Sequence, residues 1–268
     1  MIDRLTGELV APVPAVDAAS WLAALADAKS ILANLAVRRG ATGPFRVTDH
    51  DIRAALCGEA GDRVDQEPFA WSARTARRAL GLAAVRLLVA GRARSPADGV
   101  QARLAESSLW VREGSSSVSQ LDRWLAGLSL AARGAVGAEA VTWATRLWCA
   151  LDWSAFSTRP VLGRDRWWDS PHSALLALRG RADVRTPLSH LVVLSGPRRS
   201  SVRAELALLT LVESLRARGG AVPGRVVGWW PDSGHLVRVD PEPAVLTLGA
   251  EAVALVLAGA RAPVRSAA

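Results

Sequence analysis

The side chains in this chain best suited to chemistry are arginines, and the chemistry they suit is phosphate recognition. A guanidinium is planar, forked and always protonated, so it can meet a phosphate through two parallel N–H donors. Three groupings invite that reading. Ser195-Gly-Pro-Arg-Arg199 leads into a predicted helix, where free backbone amides and the guanidinium groups of Arg198 and Arg199 would converge on an anion. Arg74, Arg77 and Arg78 fall in the first turns of another predicted helix, where positive charge opposes the macrodipole unless an anion or acidic neighbour offsets it. Between Ala174 and Arg185, alternation puts Leu176, Leu178, Gly180, Ala182 and Val184 on one face of a predicted strand. Arg179, Arg181, Asp183 and Arg185 then line the other. Each grouping also has a plainer reading, as a solvated face or an ordinary strand-to-helix loop.

Other chemistries find less support. An arginine about 7 Å from a divalent ion, its spacing two residues along a strand, repels it by roughly 5 kcal/mol at an effective dielectric of 20, so the arginines beside Asp183 disfavour a metal there. His172, His190 and His235 have no carboxylate or cysteine at ligand spacing. Asp169, Ser170 and His172 lie too close together in sequence for a triad, and no Gly-x-Ser-x-Gly elbow, phosphate-binding Walker loop or dinucleotide fingerprint occurs. Cys57 and Cys149 lack a C-x-x-C partner and are expected to be buried free thiols in a reducing compartment.

These residues must be positioned by elements that periodicity locates. A Pro-rich leader precedes a helix capped by Asp17, with Trp21, Leu25, Ala28, Leu32 and Leu35 at helical spacing and Gly40 beyond it. Thr48-Asp-His-Asp51 has capping-box spacing and opens a short helix ending near Gly58, after which residues 58–68 read as an exposed loop. A helix is expected over 72–90. Residues 92–114 are polar, and Gly114-Ser-Ser-Ser117 is the best linker signal. Helices follow over 119–132 and 137–153, the second carrying Trp143, Trp148 and Trp153, which are expected to pack between helices.

Beyond Pro160 the period falls to two. Strands are predicted over 161–169, 174–185 and 191–194, with Ser170-Pro-His-Ser173 turning between the first two. Ser200 or Ser201 caps a helix to about Arg218, residues 225–230 and 235–240 form a hairpin around Pro231-Asp-Ser-Gly234, and a helix follows Pro243. The pairs Trp167-Trp168 and Trp229-Trp230 point one ring to each face of their strands; exposed members could stack on bases or guanidinium planes, while all four simply pack if both faces are covered. The expected class is α/β, a mixed central sheet flanked by helices with a helical N-terminal half. Its divisions are a leader and helix over 1–45, a helical region over 46–158, and an α/β core with its C-terminal helix over 159–268.

The order strand, strand, helix, hairpin, together with Gly180-Arg-Ala-Asp183 and the helix segment Glu205-Leu-Ala-Leu-Leu209, resembles the RecB-like branch of the PD-(D/E)XK nuclease superfamily. The resemblance covers about 160–262, and 46–95 more weakly, and implies a restriction-endonuclease-like core. That family places an acid-x-Lys on the third strand; here His190-Leu-Val-Val-Leu-Ser195-Gly196 puts Val193 and Ser195 in those places. The early helix, which often carries a histidine or glutamate, offers neither in Gly81-Leu-Ala-Ala-Val-Arg86, and the sole lysine is Lys29. What the resemblance implies is a catalytically degenerate member that binds nucleic acid, DNA in particular, or serves as an accessory subunit without a cofactor. A second reading keeps a nuclease in which Asp183 and Glu205 hold magnesium and Arg198 or Arg199 takes the lysine's place. A third keeps only a protein-binding scaffold.

Composition sets the outer limits. The 268 residues are half apolar, enough to bury a substantial core, and the formal charge of +8 favours an anionic partner. Arginine greatly outnumbers lysine, which reads in part as high-GC coding bias. The N-terminal 16 residues lack the apolar core of a signal peptide, and Glu251 interrupts the apolar run from Leu246 to Ala260, so a cytoplasmic protein without a membrane partner is expected.

Overall fold

A computed structural model of the chain describes residues 2–38, 45–57, 70–116, 118–163, 165–170 and 176–259. Among them the elements run α1 (Ile2–Val10), α2 (Ala18–Arg38), β1 (Phe45–Val47), α3 (Asp49–Leu56), α4 (Ala73–Val89), α5 (Pro96–Arg112), α6 (Gln120–Ala126) and α7 (Leu130–Ala150). The second half gives β2 (Val161–Leu162), β3 (Arg166–Asp169), β4 (Leu176–Gly180), β5 (Val184–Arg185), β6 (Ser189–Val193), α8 (Val202–Arg216), β7 (Arg225–Trp230), β8 (His235–Val239) and α9 (Pro243–Gly259). The protein is mixed α/β. Its contacts divide it into two compact units, Met1–Gly7 with Glu67–Gly163, and Glu8–Gln66 with Arg164–Ala268. No helix among the described residues is long and apolar enough to cross a membrane.

The first unit is helical. Ser72 caps α4 through a capping box with Thr75, and Ser95 caps α5 with Pro96 in its first turn. The polar composition of 92–114 hid this second helix, whose start signal is the Ser-Pro-x-Asp sequence itself. Where two helices were expected over 119–132 and 137–153, the break falls earlier: α6 stops at Ala126 before Gly127, and Ser129 caps a longer α7. Gly81 lets α4 approach α7, since a Cβ there would meet the Trp143 ring at 2.5 Å. Trp148 and Trp153 stack on each other at 5.3 Å between centroids. The leader also differs from expectation, because Leu5 and Leu9, one helical turn apart, are both buried and residues 2–10 form α1.

The second unit holds two sheets with α8 packed on them. In one, β4 lies between β1, to which it is parallel, and β3, to which it is antiparallel. In the other, β5, β6, β7 and β8 are neighbours in that order, with β6 and β7 parallel across the α8 crossover and the outer pairings antiparallel. The strand expected over 174–185 is therefore two strands in different sheets. In β4 Leu176, Leu178 and Gly180 face inward with the small Ala177 also buried, and beyond it alternation fails outright, since Ala182, Asp183, Val184 and Arg185 are buried in succession. Gly180 marks the approach to α8, where an added Cβ would meet Leu209 and Val212 at 3.0 Å. The strand expected over 161–169 likewise splits into β2 and β3 after Gly163, which has φ of 60°. The turn over 171–173 and the loop over 58–68 lie outside the described residues.

Two apolar clusters meet along α8. One gathers Trp21, Leu25, Ile52, Leu178, Leu208, Val212, Leu246 and Val253 from α2, α3, β4, α8 and α9. The other gathers Val192, Leu194, Leu206, Leu209, Val226, Trp230 and Val239. With apolar neighbours on both sides, every residue from Ala204 to Ser214 is buried, including Glu205 and Glu213. A helix surrounded in this way has no solvated face on which to leave a charge. Each of its two buried glutamates must therefore find a cation within the fold.

Candidate functional site

Glu205 finds its cation in Arg199. The Arg199 Nε donates to Oε1 at 2.7 Å and Nη2 to Oε2 at 2.6 Å, a bidentate pair with both side chains largely out of water. Ser201 stands at the N-cap of α8 yet makes no side-chain capping bond; its hydroxyl donates to Glu205 Oε1 at 2.7 Å instead. The hydrogen bonds with Glu205 raise the Arg199 pKa further above its ordinary value. Cys57 Sγ donates to Ser201 Oγ at 3.7 Å. Both Cys57 and Cys149 are exposed, which overturns the expectation of buried thiols. Cys57 directly follows α3 as its C-cap, outside the helix's buried residues, where a small hydrophobe gains nothing from packing.

Beside this pair lies a small cleft lined by Asp49, Arg179, Arg181, Val192, Leu194, Glu205, Leu206 and Leu209. The capping box of Thr48 and Asp51 fixes Asp49 as the first residue of α3, facing two arginines. Arg181 Nη1 lies 3.4 Å from Asp49 Oδ2, and its Nη2 donates to the Val193 carbonyl at 3.0 Å. Arg179 stands 3.7 Å from Asp49 and 3.8 Å from Asp165. Burial works against the charge on Arg181, but Asp49, then Asp183, Asp165 and Glu205, outweigh it and hold its pKa above the ordinary arginine value. Asp183 itself is fully buried; its Oδ2 accepts the Val193 N–H at 2.8 Å, and its own N–H donates to the Leu191 carbonyl at 2.7 Å. A carboxylate that bonds the backbone of β6 in this way pins the link between β4 and β5, which explains why alternation stops there.

These residues do not fit a divalent ion. Magnesium needs an octahedron of oxygen ligands, several of them free to approach it. Here both oxygens of Glu205 are taken by Arg199 and Ser201, and Asp49 faces Arg179 and Arg181. Among the described residues no three histidine, cysteine or carboxylate groups lie close enough together to hold a metal.

Glu213, two turns further along α8, is the centre of a second cluster. Arg185 Nη1 donates to its Oε1, and Arg166 Nη1 donates to Oε2 at 2.8 Å. Arg185 is 4% exposed, so the face expected to carry it into solvent or onto a phosphate is turned inward. Burial lowers the Arg185 pKa even though Glu213 opposes that effect. His190 lies in the same cluster with its Nδ1 buried and making no hydrogen bond. Burial first, and then the charge of Arg185, depress its pKa to about 4.

A depressed histidine pKa means that the unfolded chain binds the extra proton more readily. Stability is then lost as pH falls from the unfolded value of 6.5 through about 4. Over that window His190 is expected to cost about 3 kcal/mol. Urea unfolding from pH 7 to pH 4.5 should therefore show a steeper loss in the natural protein than in His190→Leu. Parallel pH profiles would contradict this assignment.

The remaining nominated arginines are dispersed. Arg77 pairs with Glu139 at 3.1 Å, Arg74 is exposed and Arg78 is half-buried, all on α4 in the first unit, while Arg198 is exposed in the loop before α8. Lys29 is exposed on α2. The fold thus brings Arg179, Arg181, Arg199, Asp183 and Glu205 together and places Arg185 in the neighbouring Glu213 cluster. Trp229 and Trp230 are both buried, one on each face of β7. Sequence reasoning missed Asp49 and Glu213. The capping box signals the first, and a lone charge inside the apolar run 206–215 signals the second.

Compared with family models, curated proteins and solved structures, the chain matches none.

Proposed function

We propose that this chain is a catalytically degenerate relative of the RecB-like PD-(D/E)XK nucleases, acting in the cytoplasm as a nucleic-acid-binding accessory subunit. The observation that carries the proposal is the pairing of the candidate carboxylates with guanidinium groups: Arg199 closes Glu205, while Arg179 and Arg181 face Asp49. Positive charge is supplied at this site by side chains that can neither dissociate nor generate hydroxide. A restriction-endonuclease-like core is supported by the antiparallel β5–β6 pair followed by the β6–α8–β7 crossover, with Asp183 just before β5. The exposed thiols suit a reducing compartment.

Affinity for phosphates rests on the arginines left outside these clusters. The helical unit holds 13 basic and 8 acidic residues, so it contributes +5 of the +8 and is the more basic part. A second reading, a scaffold that binds protein alone, is favoured by the engagement of Arg77, Arg179, Arg181, Arg185 and Arg199 with carboxylates. Titration of DNA at increasing salt separates them. The expected result is binding whose logarithm falls linearly with log salt, and no cleavage with magnesium or manganese. Absence of binding at low salt leaves the scaffold.

A further inference from the structure

Trp167 belongs to neither apolar cluster described above, although its neighbour Trp168 packs against one of them. Registry explains the difference. Trp167 is opposite Arg179 and Arg46 is opposite Ala177, so these four side chains share the face of the three-stranded sheet turned away from Leu176 and Leu178. Arg46 reaches across the small Ala177 to lie 5.8 Å from the Trp167 ring centroid, and Arg179 lies 5.9 Å from it. Arg216, from the end of α8, donates to the Trp167 carbonyl. Arg46 and Arg216 are exposed, and Trp167 is half-buried.

We propose that this face is a stacking platform for single-stranded DNA, with a base stacked against Trp167 and a flanking phosphate met by Arg46. This deepens the nucleic-acid reading above and rests on it. An indole with guanidinium groups close over its ring offers the stacking surface and positive charge that hold unpaired bases without regard to sequence, because every base offers a π face and every linkage a phosphate. Charge complementarity favours one strand over two. Asp169 shares the face and Asp165 lies beside Arg179, so a second phosphate chain alongside the first would meet carboxylates. A duplex also keeps its bases stacked internally and has none to offer the ring.

The test uses the full chain, fluorescein-labelled oligothymidylate and a duplex of the same length, read by anisotropy at low salt. Single-stranded DNA should bind more tightly than the duplex, and Trp167→Ala should weaken it roughly tenfold. Arg46→Gln, at an exposed position that leaves the core untouched, should reduce the slope of log affinity against log salt by about 0.7. Near-UV circular dichroism checks that both variants are folded. Binding by the natural protein that neither substitution alters, or a preference for the duplex, overturns the platform while leaving nucleic-acid binding in place. No binding to either probe overturns the underlying reading as well.

Discussion

Arg199→Ala should destabilise the protein by about 3 to 5 kcal/mol, measured by urea unfolding at neutral pH. The size follows from what is left behind. Glu205 is 6% exposed, and without its bidentate partner only the Ser201 hydroxyl and more distant charges would remain to balance a buried carboxylate. Removing both charges is a different matter, because the pair's attraction in the interior is largely offset by the cost of bringing two ions out of water. Arg199→Met combined with Glu205→Leu should therefore recover most of the stability lost by the single variant. A loss below about 1 kcal/mol for Arg199→Ala, the range of an exposed pair, would show that Glu205 does not depend on this arginine.

Glu213→Ala should cost a similar amount, about 3 to 5 kcal/mol, for the converse reason. It removes the carboxylate that the Arg185 guanidinium, in a residue 4% exposed, donates to. Arg166 contacts the same carboxylate but is 47% exposed, so Arg166→Ala should cost no more than about 1 kcal/mol. The contrast between two arginines on one glutamate makes the prediction specific, since equal losses would contradict it. Glu213 also raises the His190 pKa, which burial and Arg185 lower. Its removal should push that pKa further down, which extends the acid loss of stability at His190 to lower pH.

Local rules made much of the fold legible. Thr48 and Asp51 form the capping box their spacing predicts, the α8 run from Leu206 to Leu215 is helical, and the hairpin turns at residues 231–234. The misses share a cause, which is that tertiary partners override local pattern. Alternation through 174–185 reads as one amphipathic strand until Asp183 bonds the backbone of β6 and Arg185 turns toward Glu213, neither of which sequence spacing can reveal. The arginines of that stretch looked solvated or phosphate-facing because their carboxylate partners lie on α3 and α8, far away in the chain. Cys57 looked buried because composition favours buried thiols, yet it stands at an exposed helix end beside Ser201. The candidate site was legible as a list of residues, while its pairing, which changes its chemistry, was not.

The proposed function requires that no metal-dependent cleavage take place at this site, where Arg199 and Ser201 occupy both oxygens of Glu205. It is tested most directly by incubating the purified full chain with linear, nicked and single-stranded DNA in magnesium and in manganese, alongside Asp183→Ala. Every substrate should remain intact with either protein. Metal-dependent cleavage by the natural protein that disappears in Asp183→Ala would contradict it.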